Sequence, residues 1–420
     1  MSAAGLELDT VKVPPVRRRQ RRTLPFVLAG VVGVMLLSII RIVTGADDID
    51  SSGTLNAAVG LAVPIAMAGL GGLWAERSGV VNIGLEGMMI LGTWGGGWAG
   101  YQHGAWAGVL AGILFGALGG LLHALVTVTF GVDQIISGVA INILALGATQ
   151  YLSDLAFVGK PGGASTQSPA VGDLPALSVP GAGDLFGDIE ARHWFLVSDL
   201  ASALRAVTVN LSALTLLAVL LVLATYFVLW RTAFGLRLRS CGENPTAAES
   251  LGVNVYFYKY VAVVTSGGLA GLGGAFLAVV ASNTYREGQT GGRGFIGLAA
   301  MIFGNWRPGG LAAGAGLFGF TDALQLRRGG ESVHALLLAV AVLLAVLAVR
   351  HAIRRRVRIA VVTALAGLTF LAWFLVTDEV PGDFAGMTPY ITTLLVLALA
   401  SQRLRMPAAD GLVYRRGQGR

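Results

Sequence analysis

The sequence predicts an all-α integral membrane protein that crosses the bilayer many times, with inverted repeats that contain broken or re-entrant half-helices. Hydrophobic residues make up 55% of the 420 positions and charged residues only 13%, and the mean hydropathy is +0.71. This composition is too apolar for an ordinary soluble domain. The apolar residues fall into about 9–11 segments, and several of these approach the roughly 20 residues that a spanning helix needs. Two regions of the chain also share a series of short motifs in the same order.

Clusters of basic residues beside the hydrophobic segments indicate which ends are cytoplasmic. The basic tail 1–23 precedes an apolar stretch without a small-residue cleavage site, so we expect an uncleaved first helix, Leu24–Val43, that runs outward. The transmembrane region 24–402 is followed by a second basic tail, 403–420. We expect the protein in the plasma membrane, with both termini in the cytoplasm. The other predicted segments are, in order, Leu55–Leu73, Asn82–Tyr101, Ala105–Phe130, Gln134–Val158, Val207–Trp230, Tyr256–Ala281, Gly294–Leu326, Val333–Val349, Ile359–Val376 and Met387–Ala400.

The segment Gly294–Leu326 is interrupted at Asn305–Gly310. Its first half has about 12 residues and spans about 18 Å as a helix, which is short of a hydrocarbon core of ~30 Å. We interpret the segment as a re-entrant pair of half-helices that enters and leaves the membrane on the outer face. Two complete crossings satisfy the same alternation of basic clusters, so this alternative stays open.

Four short motifs recur after about two hundred residues, in the same order. They pair Ala68–Gly72 with Ala270–Gly274, Ile83–Met88 with Ile296–Met301, Gly92–Trp94 with Gly304–Trp306, and Ala111–Gly116 with Ala315–Gly319. The first motif lies on a helix predicted to run inward, and its copy lies on a helix predicted to run outward. The two repeats, about 55–158 and about 256–350, are therefore expected to be inverted, which is typical of transporters because pseudo-symmetric halves can rock about a site near the midplane.

Two connecting loops differ in character. The loop 159–205 is rich in glycine and proline, and its acidic residues outnumber its basic ones, which indicates an extracytoplasmic loop. The loop 231–255 is polar and is predicted to be cytoplasmic. Within it, Asn244 is a suitable N-cap, Pro245 suits the first helical position and Gly252 suits the stop, which predicts a helix of about two turns.

The cytoplasmic loop resembles that of a known family. Its sequence GENPTAAESLGVNV is similar to the coupling loop of the inner-membrane permease subunits of ABC importers, in the branch that handles simple sugars, nucleosides and branched-chain amino acids. Three other stretches resemble the nucleoside and simple-sugar group of that branch: ERSGVVNIGLEGMMILG, GFIGLAAMIFGNWRPGG and the tail PYITTLLVLALASQRLRMPAADGLVYRRG. The resemblance covers most of the chain from Leu55 to about Gly330, whereas the loop 159–205 and the additional hydrophobic pair 333–376 depart from it.

The resemblance implies a permease subunit that moves a nucleoside or a simple sugar into the cytoplasm. In this family a short cytoplasmic helix docks on a separate ATP-binding subunit, and the residues at that position here are Glu243, Asn244, Pro245, Ala248, Glu249 and Gly252. No lysine of the chain lies in a G-x-x-x-x-G-K-[ST] phosphate loop, so we expect ATP and Mg on the partner, and neither a cofactor nor enzymatic activity on this chain. The expected partners are this ATPase, a second permease subunit that is identical or different, an extracytoplasmic solute-binding lipoprotein and membrane lipid, but no nucleic acid.

Polar and aromatic side chains inside the hydrophobic segments are candidates for a solute pathway, because such groups are costly there. The candidates are Trp74, Asn82, Glu86, Trp94, Gln134, Asn142 and Trp306. Structural roles compete with each of these assignments: Glu86 fits a cap or an ion pair with Arg77, and tryptophans commonly mark membrane interfaces. The histidines show no metal-ligand spacing, so no metal site is expected.

Two other kinds of transporter remain as alternatives. An ion-coupled secondary transporter needs an ion or proton site, for which Glu86 is the best candidate. A permease for branched-chain amino acids also fits, because the N-termini of half-helices can hold a carboxylate without a cationic side chain. A membrane-embedded hydrolase is not supported, since the segments contain no paired His/Asp/Glu or Ser/His arrangement.

Overall fold

The computed structural model describes residues 35–326, 329–382, 384, 387, 388, 391 and 404–417. The basic tail 1–23, the first half of the segment Leu24–Val43, most of the segment Met387–Ala400 and the last residues of the tail 403–420 lie outside the described residues. Helices dominate the described part, and seven of them are long and apolar enough to cross a membrane. The prediction of a polytopic all-α membrane protein is confirmed.

The helices of the first repeat follow the predicted segments closely. They are α1 (Met35–Thr44), α2 (Ser52–Arg77), α3 (Leu85–His103), α4 (Ala105–Ala124, continued by a π-helical turn at Leu125–Thr129) and α5 (Gln134–Ala156). Side chains fix where α2 and α5 begin. Ser51 Oγ accepts a hydrogen bond from the Thr54 N–H at 3.3 Å, and Asp133 Oδ1 accepts one from the Ile135 N–H at 2.8 Å. These caps satisfy backbone donors for which a helix has no partner of its own.

The loop 159–205 is more ordered than its glycine and proline content indicates. The chain here forms β1 (Ala176–Leu177), α6 (Ala182–Glu190), α7 (Val197–Thr208) and β2 (Leu211–Ser212). The two strands pair antiparallel, with Ala176 opposite Ser212. The sequence analysis missed both helices because they are short and lie in a segment whose glycines and prolines are typical of irregular loops.

A buried charged cluster fastens α7 to α1. The Nη1 atom of Arg41 lies 2.6 Å from Asp199 Oδ1 and 3.6 Å from Asp50 Oδ2. Ser38 donates a short hydrogen bond to Asp199. All four side chains belong to residues that are buried. Two carboxyl groups that share one guanidinium leave an excess negative charge unless one of them keeps a proton.

Because of this charged cluster, we expect the attachment of α7 to α1 to weaken as the pH rises. Burial, together with the neighbouring Asp199, raises the pKa of Asp50 to about 8. An acid with a raised pKa binds more protons in the folded than in the unfolded state between about pH 4 and about pH 8, so its contribution to stability falls across that window. The protection of backbone amides in α1 and α7, measured as the ratio of the intrinsic to the observed hydrogen-exchange rate at each pH, should therefore fall as the pH is raised toward 8. Asp50→Asn should flatten this dependence, and an unchanged dependence in that variant would contradict the assignment.

The helices described after residue 212 belong to the loop predicted to be cytoplasmic, to the second repeat and to the segments on either side of them. They are α8 (Ala213–Arg231), α9 (Ala233–Glu243), α10 (Pro245–Ser250), α11 (Val255–Phe276, continued by a π-helical turn at Leu277–Ala281), α12 (Arg293–Phe303), α13 (Pro308–Leu326), α14 (Gly329–Ile353) and α15 (Val357–Val376). We call the end of the bundle that carries α9 and α10 the inner end. The additional pair, α14 and α15, packs mainly against itself.

The first helix of each repeat packs against the later helices of the other repeat. α2 packs against α12 and α13, whereas α11 packs against α3 and α4. Glycines let α2 and α11 approach each other: Gly71 lies against the carbonyl group of Ser266, and Gly273 lies against the carbonyl group of Pro64. Residue numbers therefore rise along α11 as they fall along α2. The two copies of the first motif run antiparallel, as inverted repeats require.

The position of α12 corrects the interpretation of the segment Gly294–Leu326. Gly297 lies against Gly69 of α2, and the turn after α12 lies at the inner end, where Arg77 Nη2 donates to the Trp306 carbonyl at 2.7 Å. α12 thus runs inward beside α2, and α13 runs back until Gly319 lies against Ala58. The segment makes two crossings and not a re-entrant pair on the outer face. Only the inner part of the first crossing is helical, because the preceding stretch 282–292 is irregular.

Candidate functional site

The short helix α10, in the loop predicted to be cytoplasmic, begins where the sequence predicts. The Asn244 Oδ1 atom accepts a hydrogen bond from the Ala247 N–H at 3.0 Å, and Pro245 occupies the first helical position. A proline is tolerated there because its missing N–H has no partner in the helix in any case. Asn244 also ends α9, so one residue sets the angle between the two helices.

A Schellman motif ends α10. The Gly252 N–H donates to the Glu249 carbonyl at 2.8 Å, and the Val253 N–H donates to the Ala248 carbonyl at 3.0 Å. This pattern needs a left-handed residue at the position after the C-cap, and Gly252 has a φ of +79°. Ala248 is buried beneath the helix. The prediction of a capped short helix that stops at Gly252 is confirmed, and both of its ends are fixed by local hydrogen bonds.

The most prominent side chain of this loop was missed by the sequence analysis. Leu251, the C-cap of α10, is 85% exposed. Glu243 and Asn244, at the other end of the helix, are also exposed. A rigid, protruding apolar side chain on a polar loop is typical of an interaction surface. The signal that could have identified it is an apolar residue directly before the terminating glycine of an otherwise polar helix.

Three of the predicted pathway residues converge on the irregular stretch between α2 and α3. The Val81 N–H donates to Gln134 Oε1 at 2.6 Å. Asn142 accepts from the Gly87 N–H at 2.7 Å and donates to the Ile83 carbonyl at 3.1 Å. Asn82 is buried, and its side-chain amide donates to Ser266 Oγ at 2.9 Å. Their polar atoms therefore pair with groups of the same chain, which satisfies a buried backbone that is not helical.

Glu86 lies in the first turn of α3 and joins this helix to α12. Its Oε1 atom accepts a hydrogen bond from the Gly292 N–H at 2.9 Å, and its Oε2 atom accepts one from the Gly294 N–H at 2.7 Å. These N–H groups belong to the start of α12, where unpaired donors and the helix dipole favour a carboxylate. Arg77 contacts Trp306 and Glu243 instead. Glu86 therefore caps the broken helix and sets its position against α3.

The three tryptophans lie at separate places in the bundle. Trp74 Nε1 donates to Thr225 Oγ1 at 3.1 Å. Trp94 Nε1 donates to Ser153 Oγ at 3.1 Å, and its ring stacks on Trp98 at a centroid distance of 5.7 Å. Trp306 Nε1 donates to the carboxyl group of Glu76. Trp94 and Trp306, which end corresponding repeat motifs, therefore each join their own segment to a neighbouring helix. A role in the solute pathway stays a prediction for all three tryptophans.

Replacing Glu86 with glutamine is expected to destabilise the protein without changing which solute it prefers. A glutamine amide keeps one acceptor but turns a donor toward a backbone N–H, so we expect a loss of about 2 kcal/mol of unfolding free energy. Thermal unfolding in detergent measures the loss, and competition uptake assays measure the preference. Glu86→Asp, which keeps the charge but shortens the side chain, is the matched control. A changed solute preference in stable Glu86→Gln protein would indicate a pathway role instead.

An apolar cavity among the described residues is not lined by any of the pathway candidates. It has a volume of about 370 Å³ and lies between α2, α7, α8 and α13. Its walls are almost entirely apolar, with Met67, Val219 and Phe320 among them. A site for a small polar solute needs a few convergent polar groups, so this cavity does not suit one. A recess of about 10 Å³ beside Thr93 and Thr149 is more polar, but it has room for only about one water molecule.

Comparison with known proteins assigns the chain to a family. The family model described as branched-chain amino acid transport system / permease component matches residues 54–349. The guanosine ABC transporter permease protein NupQ of Bacillus subtilis (strain 168) is 33% identical over 366 residues, which are 85% of this chain and 94% of that protein. The nucleoside ABC transporter permease protein NupC of Lactococcus lactis subsp. cremoris is 32% identical over 362 residues, 84% of this chain and 93% of that protein.

A third relative carries a different solute in its name. The putative glucose ABC transporter permease protein TsgC13 of Haloferax volcanii is 32% identical over 286 residues, 66% of this chain and 78% of that protein. No solved structure matches the chain. The relatives and the family match agree with the predicted resemblance. The chain therefore belongs to the family of ABC transporter permease components described as the branched-chain amino acid transport system / permease component.

Proposed function

We propose that the chain is the permease subunit of an ATP-driven importer whose solute is a nucleoside, with a simple sugar as the second candidate. The observation that carries the proposal is the similarity to a guanosine and a nucleoside permease over at least 93% of the length of each. The sugar is favoured by the glucose relative.

The partners of the proposed importer follow from its architecture. ATP and Mg bind a separate ATPase subunit, which docks on α10 through Glu243, Asn244, Pro245, Glu249 and Gly252. Ala248, the sixth residue predicted for this contact, is buried beneath α10 and supports the helix instead. A second permease, identical or different, completes the membrane pathway, and an extracytoplasmic lipoprotein delivers the solute. This arrangement places the protein in the plasma membrane with both termini in the cytoplasm. The rigid caps of α10 support its role, because a lever transmits movement only if its own shape is preserved.

Uptake by the purified complex tests the proposal. The permease is reconstituted in liposomes with its ATPase and loaded binding protein, and entry of labelled guanosine, glucose and leucine is measured with ATP on the side of the ATPase. We expect guanosine uptake that requires ATP and that unlabelled nucleosides, but not leucine, inhibit. An ATPase that binds but does not hydrolyse ATP is the control.

Three results separate the alternatives. Uptake of glucose alone would assign the solute as a sugar, and uptake of leucine alone would favour the branched-chain amino acid permease. Uptake that survives without ATP and collapses when an ionophore removes the ion gradient would contradict the ATP-driven importer. In that case Glu86 would become the first residue to test as an ion site.

A further inference from the structure

The C-terminal segment 404–417, which we call the strap, returns to the inner end of the bundle and crosses it. Its first contact is with the turn between α12 and α13, where the Arg405 N–H donates to Asn305 Oδ1 at 2.8 Å. It then reaches the end of α9. The Ala409 N–H donates to the Gly242 carbonyl at 2.9 Å, and the Ala408 N–H donates to Glu243 Oε2 at 3.3 Å. The strap is thus bonded through its backbone to two separate parts of the inner end.

The middle of the strap inserts a carboxyl group between α2 and α11. Asp410 lies beside Glu76 and Arg77 of α2 and Lys259 of α11. One of its carboxyl oxygens is buried and has no hydrogen-bond partner among the residues that the structure describes. Glu76, which neighbours it, also accepts the hydrogen bond from Trp306. Asp410 therefore joins the strap to the α12–α13 turn a second time, through Glu76.

The end of the strap contacts the first turn of α11 and the short helix α10. The ring of Tyr414 is buried and packs on Tyr256 at a centroid distance of 5.6 Å. Arg416 Nε lies 3.5 Å from Glu249 Oε1, and the Gly417 N–H donates to Glu249 Oε2 at 3.5 Å. Glu249 is a residue of α10, and α10 otherwise packs against α9 and α11. The strap therefore connects α10 with the α12–α13 turn along the inner end, and it also contacts the inner ends of α2 and α11 on the way.

We propose that the strap transmits movement of α10 to the inner end of α12, so that the two move together when an ATPase displaces the coupling helix. This inference rests on the proposed function. The structure supports it because the strap contacts Glu249 at one end and Asn305 at the other. α12 is held at its start by Glu86, so a force on its inner end acts on the broken helix between two fixed contacts.

Release of one end of the strap tests the transmission. In the reconstituted complex, Tyr414→Ala combined with Arg416→Ala removes the ring contact with Tyr256 of α11 and the ion pair with Glu249 of α10, and leaves the contacts of Arg405 and Asp410. We expect the complex to assemble and to hydrolyse ATP, while solute transported per ATP hydrolysed falls by at least about fivefold. Leu412→Ala is the matched control, because Leu412 lies in the same segment with its side chain 60% exposed. An unchanged ratio in the double variant would overturn the proposal.

A cross-link distinguishes two roles of the strap. A strap that transmits movement stays in place during transport, whereas a strap that blocks transport must leave its place before solute can pass. Tyr256→Cys and Tyr414→Cys are introduced together and joined by a short bifunctional thiol reagent. The native Cys241 does not interfere, because it is fully buried, and burial raises the pKa of its thiol to about 11. We expect the cross-linked complex to keep at least half of its transport rate, whereas abolished transport would overturn the proposal. The cross-link does not require an ATPase, so the two proposals can fail separately. A permease that binds no ATPase would contradict the proposed function, whereas an ATPase-bound complex that loses transport on cross-linking would contradict the role of the strap.

Discussion

Replacing Leu251 with glutamate is expected to abolish docking of the ATPase while leaving the membrane fold intact. The side chain is 85% exposed and the Schellman motif at Gly252 holds it in place, so little order is lost when a partner covers it. Exposed apolar anchors of this kind contribute about 3–4 kcal/mol to an interface, which is about 100- to 1,000-fold in affinity. A charge at the same position adds the cost of its own desolvation. Binding of the purified ATPase to the permease in lipid nanodiscs measures the loss.

Two further variants distinguish an anchor from a general effect of a new charge. Leu251→Met keeps an apolar side chain of similar size, and we expect it to bind the ATPase about as well as the native protein. Leu185→Glu places the same charge on α6, at a leucine that is 59% exposed but lies on the other side of the membrane in the predicted topology. It should not affect binding. Equal affinity of Leu251→Glu and native protein would show that the interface lies elsewhere on the loop.

The parts of the structure that could be predicted are those encoded by near neighbours in the sequence. The helix from Pro245 to Ser250 follows from an N-cap, a proline and a terminating glycine within nine positions, and each of these acts through hydrogen bonds to adjacent residues. The inverted repeats were equally accessible, because the motifs Ala68–Gly72 and Ala270–Gly274 recur in order. Hydrophobicity and basic clusters then sufficed for the membrane class.

Features that depend on distant contacts were not accessible from the sequence. The inner location of the α12–α13 turn is set by a hydrogen bond between Arg77 and Trp306, which are 229 residues apart. The residues next to either of them in the sequence do not predict this contact. The roles of the polar residues inside the hydrophobic segments also depend on distant contacts. A buried asparagine such as Asn142 is costly unless it is paired, and the cost is the same whether its partner is a solute or a backbone group. Only the structure reveals the partners of Asn142, which are Gly87 and Ile83.

Replacing Gly271 with alanine is expected to disrupt the crossing of α4 and α11. A Cβ atom at this position would lie 2.8 Å from Gly116 Cα and 3.1 Å from Gly116 N, and it would also meet the carbonyl oxygen of Gly112. All of these atoms are backbone, so no side chain can move aside and the helices must separate. We expect a loss of about 3 kcal/mol or more of unfolding free energy. Loss of folded protein on heating, followed by gel filtration in detergent, measures it.

The matched control for Gly271→Ala is Gly147→Ala in α5, where nothing lies within 4 Å of the added Cβ. Alanine favours a helix over glycine, so this variant should be at least as stable as the native protein. Gly69 occupies the position of Gly271 in the first repeat, and its Cβ would lie 2.7 Å from the Gly297 carbonyl oxygen. If the two repeats are structural equivalents, Gly69→Ala must destabilise the protein as Gly271→Ala does. A large effect at Gly271 with none at Gly69 would mean that only the α4–α11 contact, and not its counterpart between α2 and α12, depends on close helix packing, which the inverted symmetry excludes.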